Sequence, residues 1–327
     1  MHELVKLAVD AYKGTTGNFS KAEASETLRN ALIDLNGGSE KIDFRSFRRN
    51  KTAIFEIIEE TLSVLVSEGL ENEFNDFAEV RNLAWGDTNV FTVPNSDLFK
   101  VAVVADGTNN LRRQRLDGKE FGVSTYTRGI KIYEELHRFL AGRIDWVEMV
   151  NRVAKSYNLQ LAEDVYNAIY NSFSTLAAPY AYSGAYDEFE LTQMAQHVEA
   201  ASNGAGAYIL GTKMALAKVA PSAISDNMRE ARNKIGYYGE LNGFELREIK
   251  NVHKAGSYSE FAIDNNFLLI VPKVNDKFVK IVNEGDALIV DGTNGDVNAD
   301  FSMEYTFVMK SGIAVIPAAK YGIYRLA

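Results

Sequence analysis

The sequence predicts an α+β fold, and three observations carry that expectation: an unbroken helical periodicity over residues 144–173, a long two-armed β segment with a polar tip over 89–132, and an alternation of helices and strands after Pro179. The 327 residues, 46% of them apolar, can supply a sizeable core for one large or two medium domains.

Along the chain, the first 50 residues read as an arm, because glycines at 14, 17, 37 and 38 surround one short amphipathic stretch at 22–35. Arg45, Arg48, Arg49 and Lys51 interleave there with Phe44 and Phe47. Such mixtures suit nucleic acid, but in an acidic chain a protein contact is the better reading. Residues 53–70 place Ile54, Ile57, Ile58, Leu62, Leu65 and Val66 three and four apart, with Glu56, Glu59 and Glu60 between them, which predicts an amphipathic helix. Phe74, Phe77 and Val80 predict a second helical piece before a turn at Trp85-Gly86-Asp87.

From Asn89 the texture becomes strand-like: NVFTVP, then LFKVAVVADG, then the polar TNNLRRQRLDGKEF, then GVSTYTRGIKI. Two β-rich arms around a charged middle predict a long hairpin, since a packed loop rarely runs so far without apolar anchors. An isolated ribbon is marginal in water, so this one is expected to lie on another subunit.

A short helical turn is expected over 134–140, ending at Gly142. In 144–173 the apolar positions Val147, Val150, Ala154, Tyr157, Leu161, Val165, Ala168 and Ile169 keep helical spacing with no proline or glycine inside. Such a helix is about 45 Å long, against a mean of roughly 11 to 12 residues in globular proteins. It keeps no sustained heptad with charged flanks, which sets a coiled coil aside. Helices at 188–201 and 224–235 alternate with strands at 207–210 and 244–249, followed by the β-rich NNFLLIVP and KFVKIVN. Residues 303–309 and 313–316 around Lys310-Ser311-Gly312 predict a closing hairpin, and 321–326 a last strand.

Composition narrows the function. With no cysteine, disulfides, thiolate catalysis and Cys-bound zinc are excluded. The formal charge of −9 argues against wrapping nucleic acid by neutralising phosphates. No apolar run is long enough to span a membrane, and MHELVKLAVDAYKG is unlike a secretory signal, so a soluble, cytosolically made chain is expected. His2, His137, His197 and His253 lack metal-ligand spacing and read as ordinary surface or capping residues.

Gly206 to Lys213, GAYILGTK, has two glycines at phosphate-loop distance, but Thr212 breaks the required Gly-Lys pair and the intervening run is apolar. Asp296, Asn298 and Asp300 alternate like calcium ligands, yet Phe301 and Phe307 stand where glycine and glutamate are needed; DGTNGDVNAD reads as a solvent-facing turn. Asn18-Phe19-Ser20 is a glycosylation triplet without a secretory context. No serine sits in a GxSxG setting, and no acidic pair is placed together by spacing. No catalytic residue, cofactor or metal is expected.

The order of elements resembles the major capsid proteins of tailed bacteriophages over nearly the whole chain. The stretches that carry the resemblance are IFEIIEETL leading into FNDFAEVRNLAWGDTNVFTV, the hairpin over 99–132, RIDWVEMVNRVAKSYNLQLAEDVYNAIYNSF as a spine-like helix, and the terminal EYTFVMKSGIAVIPAAKYGIYRL. The resemblance implies an amino-terminal arm and helices at 1–88, an extended hairpin loop at 89–131, a peripheral domain at 132–180 and 300–327 holding the spine helix 144–173, and an axial domain at 181–299.

It further implies hexamers and pentamers of the chain that tile an icosahedral or prolate shell around phage double-stranded DNA, with portal, scaffold and decoration proteins as further partners. The virion is the expected location and a bacterial cytoplasm the place of synthesis. Arg112, Arg113 and Arg115 at the hairpin tip are the candidate contacts to a neighbour's acidic surface, and exposed pairs of this kind contribute only about 0 to 1 kcal/mol each. Some members of that family cross-link a hairpin lysine to a neighbour's asparagine; Lys119 is the hairpin lysine here, but no asparagine and glutamate can be assigned to that reaction. Two other readings stand beside this one: an encapsulin-like cellular compartment shell, and a soluble α+β enzyme using carboxylates.

Overall fold

The computed structural model describes residues 6, 9, 10, 27, 30, 34, 38, 44–74, 76–93, 99–104, 113, 114, 119–135, 146–254, 256–274, 277–291, 302–316 and 321–326. In chain order the elements are α1 (Phe44–Phe74), β1 (Ala78–Leu83), β2 (Val90–Val93), β3 (Lys119–Gly122), β4 (Tyr126–Glu135), α2 (Trp146–Ser172) with a closing 3-10 turn, and β5 (Ala181–Gly184). There follow α3 (Glu188–Ala201), β6 (Ala207–Gly211), α4 (Lys213–Ala217), α5 (Asp226–Ile235), β7 (Glu240–Leu241) and β8 (Phe244–Glu248). The chain closes with β9 (Phe267–Pro272), β10 (Val279–Asp291), β11 (Ser302–Val315) and β12 (Gly322–Leu326). Helices and mixed sheets together make the fold α+β.

One sheet has the order β1-β10-β11-β4, with β1 parallel to β10 and the other pairs antiparallel. Its two faces follow from the period of two along a strand. Ala78, Ile281, Phe307 and Met309 face one side and enter the main core with Leu62, Leu65 and Val66 of α1 and Val153, Leu161 and Val165 of α2. Glu79, Arg81, Lys280 and Val282 face the other side.

The spine-like helix α2 is fastened to this sheet by polar contacts as well as apolar ones. The Tyr157 hydroxyl donates to the Phe307 carbonyl at 2.6 Å, and burial pushes its pKa up to about 12, so it remains a donor at any ordinary pH. Arg128 of β4 pairs with Asp164 at 2.6 Å and donates to the Ser311 carbonyl and hydroxyl at 2.8 and 2.7 Å. Removing the hydroxyl in Tyr157→Phe leaves a buried carbonyl short of a donor and is expected to destabilise the unassembled subunit by about 1 kcal/mol. Urea denaturation of that subunit measures it; an unchanged midpoint contradicts the assignment.

A second sheet, β5-β12-β9-β6-β8-β7, shares the main core on one side and builds its own on the other. Leu210, Leu269, Val271 and Ile323 join the α2 side, whereas Ile209, Leu268, Ile270 and Tyr324 pack with Leu191, Val198 and Leu216 of α3 and α4. With both faces covered, β9 is buried at every position, which explains its continuous apolar run. Asp187 caps α3 and Ser225 caps α5, which ends at Gly236 with φ 94°. GAYILGTK forms strand β6, and the buried Thr212 caps α4 by accepting from the Ala215 amide.

Four expectations are corrected. Phe77 precedes, and Val80 lies in, strand β1, not a helix: Phe74 and Phe77 pack on Tyr166 of α2, and the chain then joins β10 in parallel register. Residues 99–104 form no ladder and stand exposed. Glu134 and Glu135 end β4 instead of starting a helical turn, paired with Met303 and Ser302; 136–140 lie outside the described residues. The closing hairpin is absent, because Lys310, Ser311 and Gly312 continue through one strand, β11. Gly312 is needed there for close approach, since a Cβ would meet the Ser124 carbonyl oxygen at 2.4 Å. The calcium-like residues Asp296, Asn298 and Asp300, together with His2, His137 and most of the arm, also lie outside the described residues.

Candidate assembly interface

The root of the extended hairpin sits on the outer face of the four-stranded sheet. β2 and β3 pair antiparallel, with Phe91 opposite Phe121 and Val93 opposite Lys119. Phe91 and Val123 close a small cluster with Val282, and Leu83, Phe121 and Ala314 pack around it. The Arg81 guanidinium lies 4.0 Å from the Phe91 ring centroid and donates to the Val90 carbonyl at 3.2 Å and to Glu79 at 3.0 Å. Lys280, only 3% exposed, pairs with the same Glu79. Asn89 donates to the Val123 carbonyl. Beyond the ladder, Thr125 donates to Glu284 at 2.6 Å, and Glu284 also pairs with Lys310 at 2.6 Å.

These pairs make the root sensitive to acid. Hydrogen bonds from Lys310 and Thr125 hold the Glu284 carboxyl below its ordinary range. Burial pushes Glu79 the other way, but the bonds from Lys280 and Arg81 outweigh it and this carboxyl too is held low. A depressed carboxylate stabilises the folded state above the unfolded pKa, and that contribution is lost as pH falls through the folded one. Hydrogen-exchange protection of the β2 and β3 amides is therefore expected to drop on acidification below the usual carboxylate range. Glu284→Gln is expected to weaken that dependence, and protection that stays flat with pH in the parent chain contradicts it.

Outward from the root, the Lys100 amide donates to the Gln114 side-chain oxygen and the Gln114 amide donates back to the Lys100 carbonyl, both at 2.8 Å. The two arms thus face each other at this rung. Phe99, Val101, Val103 and Val104 are all exposed, and Val101 and Val103 are wholly so. Fully burying one such side chain is worth about 1.5 to 3 kcal/mol, and no described part of their own subunit covers them.

Of the four residues singled out by sequence, Arg113 is exposed on the second arm. Arg112 and Arg115 lie outside the described residues, and Lys119 is placed only as backbone of β3. The structure does not bring them to one described site. It adds a surface that sequence reading missed, the loop between β8 and β9. There Asn251 accepts from the Ile263 amide at 3.2 Å and donates to its carbonyl at 2.9 Å. His253 stacks on Phe261 at 5.1 Å, and Tyr258 is 96% exposed. Exposed aromatics inside a polar loop were the available signal. Among the described residues no His, Asp and Glu cluster could hold a metal ion, and no helix is long and apolar enough to cross a membrane.

The whole-chain comparisons agree with this geometry. The family model described as "SPbeta prophage-derived putative capsid protein YonB" matches residues 3–324. Comparison with curated proteins finds no match. Similar solved structures include the mature capsid of bacteriophage PhiM1, at 9% identity over 78% of this chain and 86% of that one, TM-score 0.53. The capsid of a native GTA particle aligns at 12% identity over 78% and 90%, TM-score 0.52. Microbacterium phage Oxtober96 gives 10% identity over 78% and 90%, TM-score 0.51. At such identities the likeness is one of fold, and it is the capsid fold that the order of elements resembled. The family match covers nearly every residue, so the chain belongs to the YonB family of prophage-derived capsid proteins, structural subunits that assemble with copies of themselves into a viral shell.

Proposed function

We propose that copies of this chain form hexamers and pentamers that close into an icosahedral or prolate head around phage double-stranded DNA, each extended hairpin lying over a neighbour. The observation that carries this reading is the exposed apolar row Phe99, Val101, Val103 and Val104, held out from a firmly packed root and left uncovered by the described part of its own subunit. Arg112, Arg113 and Arg115 then pair with the neighbour's acidic surface, and Lys119 lies on the same hairpin. The net charge of −9 suits a wall that contains DNA without gripping it. Synthesis in a bacterial cytoplasm, and portal, scaffold and decoration proteins as partners, belong to the same reading.

The contents of particles test it. Particles purified from a host in which the prophage is induced are expected to hold nuclease-resistant double-stranded DNA. A protein cargo with no protected DNA contradicts the reading and points to a cellular compartment shell instead.

A further inference from the structure

We propose that a groove between α1 and the bulge of β10 is the receptor for the neighbouring copy's hairpin and takes up one of its arginine side chains. This deepens the tip pairing proposed above and rests on it.

The groove follows from an irregularity in β10. The β10-β11 register shifts between Glu284 and Leu288, and Gly285 takes φ +74° with the Trp85 ring laid over it; a Cβ at Gly285 would lie 2.0 Å from the indole. Helix α1 clamps the far side of the bulge: the Ala287 amide donates to Ser63 at 2.8 Å and the Ile289 amide to Glu59 at 2.6 Å. The space left between them is about 530 Å³, with Ser67, Asn82 and Asn283 among its lining residues, Glu71 and Asp286 on its sides, and the half-exposed Trp85 as a wall.

Three properties of this space select a guanidinium. Asn283 is 2% exposed; its amide donates to the Asn82 oxygen at 2.9 Å, which leaves its own side-chain oxygen buried with no donor. That oxygen is an acceptor awaiting a partner. Glu71 and Asp286 form no ion pair among the described residues, and the charge of Asp286 is felt nearby: burial first, and then Glu56 and Asp286, push Glu59 up against the lowering bond from the Ile289 amide. The third property is the exposed indole of Trp85, on which a planar cation can stack. A guanidinium is planar, weakly hydrated and rich in donors, and so meets all three, whereas an ammonium meets chiefly the charge.

The occupant follows from the chain itself. Three arginines stand at 112, 113 and 115, and Arg113 is exposed. Their hairpin is rooted on the face of the sheet opposite α1, so the arginine that fills the groove comes from a second copy.

Two experiments test the assignment in assembled particles. A photo-crosslinking amino acid in place of Arg113 is expected to label a neighbouring chain at residues 67–71, 85 and 283–286. Labels on another acidic surface overturn the groove while leaving tip pairing in place; no label between chains overturns both. Independently, Glu71→Arg with Asp286→Arg is expected to stop particle formation, as is replacing the three tip arginines by glutamate. Combining both sets of changes in one chain is expected to restore particles, because every tip then meets a groove of opposite charge in hexamers and pentamers alike. A folded chain that carries all five changes and stays unassembled overturns the proposal.

Discussion

Replacing Arg112, Arg113 and Arg115 together by glutamate is expected to abolish closed particles while the unassembled subunit keeps its circular dichroism spectrum and melting temperature. No described contact of the subunit's own core uses these positions, so the fold has little to lose. Assembly has more. A single exposed ion pair contributes about 0 to 1 kcal/mol, but under the proposed pairing reversal exchanges attraction for like-charge repulsion at three positions within four residues. A combined change of about 3 kcal/mol weakens each subunit contact on the order of a hundredfold. A shell multiplies that penalty by its number of subunits. Sedimentation velocity reads the result directly: slowly sedimenting subunits are expected, and normal particles from the triple variant would show that the tip is no assembly contact.

Gly312→Val is expected to have the other large effect, acting inside the subunit. A Cβ at this position would lie 2.4 Å from the Ser124 carbonyl oxygen and 3.0 Å from its carbon. Both are backbone atoms, which cannot swing aside as a flexible side chain would. The segment leading from β3 to β4 must lift away from β11, and the cluster of Phe91, Val123 and Val282 opens with it. Overpacking of this kind costs about 1 to 3 kcal/mol, concentrated at the hairpin root. Loss of protection in β2 and β3 by hydrogen exchange, with α2 still protected and particle yield sharply reduced, is the expected pattern. Wild-type protection at the root would show that Gly312 has room after all.

The core of this fold was legible because burial imposes a period. Val150, Ala154, Tyr157, Leu161 and Val165 repeat at helical spacing because α2 buries one stripe, and structure and pattern agree to within two residues at each end. Helix α3 is found at the residues expected for it, helped by Asp187 as its cap. The misreadings arise where one pattern serves two purposes. Phe74, Phe77 and Val80 are spaced for a helix, yet the parallel register with β10 draws Val80 into a strand. Gly312 reads as a turn signal, although its smallness serves close approach across a continuous strand. Residues 99–104 alternate like a buried strand, yet they pair with no described strand and stand exposed; the cover proposed for them lies on another subunit, which no intramolecular pattern can show. The receptor groove was invisible for a different reason: it gathers α1 residues with 82–85 and 283–286, stretches far apart in sequence that the parallel pairing of β1 with β10 and the packing of α1 on both bring together.

The subunit is built to be completed by copies of itself. Negative-stain microscopy of the purified full-length protein tests it most directly. Closed, uniform particles built from hundreds of subunits are the predicted result; a homogeneous small oligomer that never closes into a shell, under conditions where the subunit is folded, would contradict it.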